Sequence, residues 1–255
     1  MTETEWLACD NPEPLLGELR GEVYGNFAAP TEGSPTRCSN RKIALFTHAV
    51  CVSVPYTPLN RPTLHGMELL DQFSEGCLLL PELLLALETL RKNAGDEVNG
   101  DYFPFWETRI DEPYGVYWMA RKCAVVTAWH AARDAILQHD PELIERRDPN
   151  WKTTGLDLPE WQAAYRQARA EQATLLRDIV SYPFRPVSLD PAWLTSTVVA
   201  LAQGIYAERA FDRMPILADA LQDAGCSNED ILNHCRGSGP HCRGCWVVDL
   251  ILGKS

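Results

Sequence analysis

Apolar and polar positions alternate with a helical period along almost the whole chain, and the two-residue period of a strand is scarce. In "DNPEPLLGELRG", residues 10–21, Asp10 or Asn11 stands where a cap belongs, Pro12 falls in the first turn and Gly21 is a stop. "NRKIALFTHAVCVSV" begins at a possible Asn40 cap. Its period does not separate a buried helix from a short extended piece near "VCVSVPY". "LPELLLALETLRKNAG" ends on basic residues and then Gly95, as a helix C-terminus should. A long helix is expected from about Val116, with Met119, Cys123 and Val126 on one face and Leu137 continuing it. Another runs from about Glu160 to Val180, and the two form an αα-hairpin across the polar connection at 139–159.

The final third carries the clearest pattern. Asp190 caps a helix with Pro191 at its first position, and Leu194, Val198, Leu201 and Ile205 make one buried stripe. Leu217, Ala220, Leu221 and Ala224 repeat that pattern before a left-handed stop at Gly225. Ser227 then caps a helix whose inner face is Ile231, Leu232 and Cys235. A last helix with Val247, Leu250 and Ile251 ends at Gly253. The predicted fold is all-α, a multi-helix globular bundle with irregular connections. It forms a single domain over 1–255, or two lobes at 1–112 and 113–255.

Composition narrows the classes of function. Apolar residues at 45% and charged residues at 23% suit a globular chain of 255 residues with a sizeable core. A net charge of −12 disfavours nucleic acid and anionic membrane surfaces, both of which select basic proteins. The apolar run "CLLLPELLLALETL" is too short to span a bilayer and is broken by Pro81, Glu82 and Glu88. "MTETEWLACD" lacks the basic and apolar regions of a secretory signal, and the nine cysteines are an odd count. A cytoplasmic protein with reduced thiols is therefore expected, with Cys9, Cys51, Cys77 and Cys123 as small core residues.

The stretch from "LLRDIVSYPFRPVSLDPAWL" through "ILADALQDAGC" to "GPHCRGCWVVDLILGK" resembles the C-terminal region of a family of uncharacterised proteins of planctomycete bacteria. "TEWLACDNPEPLLGELRG" and "SNRKIALFTHAVC" resemble that family's opening segments. The resemblance covers about residues 4–54 and 175–254 and implies membership without implying an activity. The family's closing motif reads His-aliphatic-Arg-Gly-Cys-Trp, whereas Cys242 stands here in place of the aliphatic residue. Cys242 is thus outside what the resemblance implies.

Chemistry concentrates in "NHCRGSGPHCRGCW", residues 233–246. Cys242 and Cys245 have the spacing that lets one turn present two thiolates to zinc, and Cys235 with His241 or His234 completes a four-ligand set. The candidate metal ligands are accordingly Cys235, His241, Cys242 and Cys245. Cys245 also sits near the first turn of the last helix, where backbone N–H groups favour a reactive thiolate. Arg236, His241 and Arg243 alternate with glycine before that helix, an arrangement suited to an anion. A helix-connecting turn explains the same residues without a ligand. His65, Glu68 and Asp71 read as a solvated helix face, and His130 as a buried histidine. No nucleophile elbow, P-loop, HExxH or EF-hand loop occurs, so no catalytic residue is assigned and an enzyme is not expected. The leading expectation is a non-enzymatic interaction or scaffold protein with a protein partner. Its surface would include the 236–244 turn and the aromatics Phe103, Phe105 and Trp106. The alternative is a small zinc-binding or thiol-reactive protein built on residues 234–245.

Overall fold

The structure, a computed structural model, describes residues 1–20, 38–53, 61–93, 115–139, 159–180, 183–184 and 187–254. Among these residues there are eleven α-helices and no strand, as the helical periodicity predicts. None of these helices is long and apolar enough to cross a membrane. The aromatic connection with Phe103, Phe105 and Trp106 lies outside the described residues, as does 140–158.

Two compact units divide the chain between Ala173 and Thr174. The first holds α1 (Glu3–Ala8), α2 (Pro12–Arg20), α3 (Asn40–Val52), α4 (Arg61–Ser74), α5 (Leu80–Asn93), α6 (Gly115–His139) and most of α7 (Pro159–Ile179). This differs from a boundary at 112–113, because α6 packs against α2 and α3 and belongs to the first unit. Helix α3 is buried on nearly all sides, from Ile43 to Thr47 and from Ala49 to Cys51, which is the signature of a central helix. It stays helical to Val52 with Ser39, not Asn40, as its cap, so the extended alternative near "VCVSV" does not hold for the described residues. Ala120, Cys123, Ala124 and Ala128 give α6 the small side chains that let α3 approach it. Across the predicted hairpin, Gln172 of α7 donates to the Ala124 carbonyl at 2.9 Å and to Thr127 Oγ1 at 3.0 Å. Cys51 and Cys123 are core residues as expected, whereas Cys9 is half-buried and Cys77 is exposed. Cys77 follows left-handed Gly76 in the turn that ends α4, a position that faces away from the helix packing.

The second unit takes the last turn of α7 and adds α8 (Ser196–Glu208), α9 (Met214–Asp223), α10 (Glu229–Arg236) and α11 (Trp246–Leu252). Helix α8 packs on α9 and α11, and α10 packs on α9 and α11. Their core is Val198, Ala202, Ile205, Leu217, Leu221, Ile231, Cys235, Val247 and Val248, all fully enclosed. Asp190 and Pro191 initiate only a single 3₁₀ turn, Pro191–Trp193, and α8 begins afresh with Thr195 as its cap. Leu194 therefore falls outside the stripe that buries Val198 and Ile205. Asn228 caps α10 in place of Ser227, since its Oδ1 accepts from both Asp230 and Ile231 N–H groups. Gly225 and Gly253 take the left-handed stops that the sequence assigns them, at φ +91° and +65°.

Candidate metal centre

In the second unit two histidines and a cysteine gather around the buried carboxylate of Asp178. Asp178 occupies the last turn of α7, where the helix dipole disfavours an anion, and its side chain is 3% exposed. Such a charge persists only if other donors offset the burial. Four do. His241 Nδ1 lies 2.7 Å and His234 Nε2 3.2 Å from Asp178 Oδ1. The Cys242 backbone N–H donates to Oδ2 at 2.9 Å, and the Cys242 thiol lies 3.4 Å from the same oxygen.

These donors come from one short path of chain. His234 sits in the last turn of α10, which ends at Gly237. The turn then passes left-handed Gly239 and a cis Gly239–Pro240 bond before His241. Cys245 caps α11, and its N–H donates to the Cys242 carbonyl at 2.9 Å. At Gly239, φ is +80° and an added Cβ would lie 2.9 Å from the His241 backbone nitrogen. Gly239→Ala is expected to cost about 1–2 kcal/mol from the left-handed backbone, with the clash displacing His241 in addition. Urea unfolding of the variant measures the first effect, and the His241 ring resonances report the second.

The site is fully interlinked. His234 Nε2 is also 3.2 Å from Cys245 Sγ, and Trp246 Nε1 donates to His234 Nδ1 at 3.0 Å. The His234 ring stands 4.9 Å from the rings of both His241 and Trp246. His241 Nε2 is buried and has no hydrogen-bond partner among the described residues. One donor atom from each of Asp178, His234, His241 and Cys245 lies within 4.8 Å of all the others.

Burial pushes the Asp178 carboxyl upward, but hydrogen bonds from His234 and His241, and their charge at the acid pH where an aspartate titrates, outweigh it and hold it below the usual aspartate value. An unfolded aspartate takes up its proton near about pH 3.9, where native Asp178 is still charged. The unfolded state then binds more protons, so stability rises with pH across that window. Asp178 thus contributes stability that is complete above about pH 3.9 and is lost as pH falls through its own lower value. Denaturation midpoints measured from pH 6 down to pH 3 should fall steeply at the acid end, and Asp178→Asn should flatten that fall.

The structure redraws the sequence-predicted sites. Of Cys235, His241, Cys242 and Cys245, only His241 and Cys245 enter the four-residue group, joined by His234 and Asp178. Cys235 lies four residues after Ile231 on the inner face of α10, in the apolar core, and burial pushes its thiol up to about 12. Cys242 stays beside the group as a donor to Asp178. At Cys245, the candidate reactive thiol, the effect of the helix terminus is outweighed. Burial and the Asp178 charge push that thiol well up, against the lowering effect of the Val247 and Val248 N–H groups.

The anion-binding trio does not converge either. Arg236 donates to Asp219 and Gln222, Arg243 lies 5.1 Å over the Tyr206 ring, and His241 serves Asp178. Sequence reasoning missed Asp178 altogether. Its one local signal is an acid at the wrong end of a helix, among the buried residues Leu175, Leu176, Ile179 and Val180. No protein-family model, no curated protein and no solved structure matches the chain.

Proposed function

We propose that the Thr174–Ser255 unit is a zinc-binding module and that Asp178, His234, His241 and Cys245 are the ligands. The observation that carries this reading is the convergence of their four donor atoms within 4.8 Å. A tetrahedral zinc ion with bonds of about 2.0–2.3 Å places its ligand atoms roughly 3.3–3.8 Å apart; the separations around His234 are 3.2 Å, and His241 Nδ1 and Asp178 Oδ1, 2.7 Å apart, would open to admit the ion. Two imidazoles, a thiolate and a carboxylate suit a borderline-soft ion, and hard cations such as magnesium or calcium prefer all-oxygen sites. Four protein ligands, two of them fully enclosed, favour a closed structural site over a catalytic one with an open position. The ion would then hold the 237–244 turn and both flanking helices in place. All four ligands fall inside the stretch that resembles the planctomycete family, and membership of that family is part of the same proposal.

Protein purified reduced and without a tag should carry about one zinc per chain by elemental analysis. Titration of stripped protein against a chromophoric chelator should give a dissociation constant at or below the nanomolar range, as for other structural zinc sites. Substoichiometric zinc after loading, together with a melting temperature indifferent to zinc and chelator, would overturn the proposal.

A further inference from the structure

We infer that Trp246 is a positioning residue that sets the metal affinity of this site, by holding His234 in the arrangement that does not bind. The inference rests on the zinc reading above. Neutral imidazole carries one N–H and one lone pair, and an indole nitrogen only donates. The 3.0 Å bond from Trp246 Nε1 to His234 Nδ1 therefore uses the lone pair of Nδ1 and leaves the ring N–H on Nε2. Nε2 is the atom that faces Asp178 Oδ1 and Cys245 Sγ, both at 3.2 Å, and so the atom that would ligate.

Ligation through Nε2 moves that proton to Nδ1. Two N–H groups then face each other where one hydrogen bond stood, and the Trp246 bond must break. The Cys245 thiol proton leaves to solvent in the same exchange. Trp246 is 5% exposed, so its released N–H has little water to turn to and the loss weighs against metal entry. His241 has no tryptophan on its far nitrogen. Its Nε2 has no partner among the described residues, so its proton can shift from Nδ1 to Nε2 without breaking a bond there. The two histidines of one site are thus unequal: both give up an Asp178 contact, and only His234 must also break a bond to an indole.

Trp246→Phe keeps an aromatic ring against His234 and removes the competing N–H. It should bind zinc about five- to tenfold more tightly than the wild type, the equivalent of one neutral hydrogen bond. In the wild-type protein, zinc should shift the Trp246 indole ¹H–¹⁵N resonance, identified among the eight tryptophans by its absence from the variant. The His234 Nδ1 nitrogen should change from an acceptor to an N–H in the same titration. The indole readout needs no variant and stands if Trp246→Phe folds poorly. Equal zinc affinities with an unmoved indole resonance would overturn the lock and leave the site intact. Failure of both proteins to take up zinc would overturn the site itself, and the lock with it.

Discussion

Replacing Asp178 with alanine should destabilise the second unit by about 3–5 kcal/mol, the range for breaking a buried charge pair from one side. The substitution removes the acceptor of His241 Nδ1, His234 Nε2 and the Cys242 backbone N–H together. His234 keeps a second neighbour at Nε2, the Cys245 sulfur at 3.2 Å, but sulfur is a weak acceptor. A typical domain is stable by about 5–15 kcal/mol, so a loss of this size is a large share of the whole. Asp178→Asn should cost less, because the amide oxygen still accepts while the amide nitrogen meets donors. Urea unfolding followed by circular dichroism in the presence of a chelator measures both. A loss under about 1 kcal/mol for the alanine variant would mean that the cluster does not depend on its carboxylate.

The second large effect separates ligands from neighbours. Cys245→Ser should weaken zinc binding by about a hundredfold or more, since a serine hydroxyl is a poor replacement for thiolate at zinc. Without metal the same variant should remain within roughly 1–2 kcal/mol of the wild type, because the hydroxyl can still meet His234 Nε2 in the place of Sγ. Cys235→Ser should do the reverse. It places a hydroxyl in a fully enclosed apolar core, lowering stability without changing zinc stoichiometry. Cys242→Ser should change each modestly, because the backbone N–H at that position still donates to Asp178. Were Cys242→Ser to abolish zinc while Cys245→Ser did not, the ligand set read from sequence spacing would replace the one read from geometry.

Those three cysteines also mark how far the sequence could be read. The helices themselves are legible, because a period of 3.6 is a local property. α7 at Pro159–Ile179 and the stops at Gly225 and Gly253 lie where their residues place them. The starts are less so. Asp190, Thr195, Ser227 and Asn228 are all good caps, and packing decides which of them is used. Half of the site is legible for the same reason. His241 and Cys245 stand out by local density, but adjacency in sequence cannot say that Cys235 turns into the core while its neighbour His234 turns towards Asp178. Asp178 is beyond local reasoning altogether, since its partners His234, His241 and Cys242 lie 56, 63 and 64 residues further along the chain.

That separation has a consequence in time. Contacts so distant in sequence require a long loop to close before they return any energy, whereas α9 can pair locally with α8 before it and α10 after it. The carboxylate and its donors are therefore expected to join after the transition state for folding. Interactions that form so late hold the native state by slowing its opening and leave the speed of folding almost untouched. The role of Asp178 is then that of a latch: the second unit reaches its fold at nearly the same rate with or without it, and keeps that fold for far less time when it is gone.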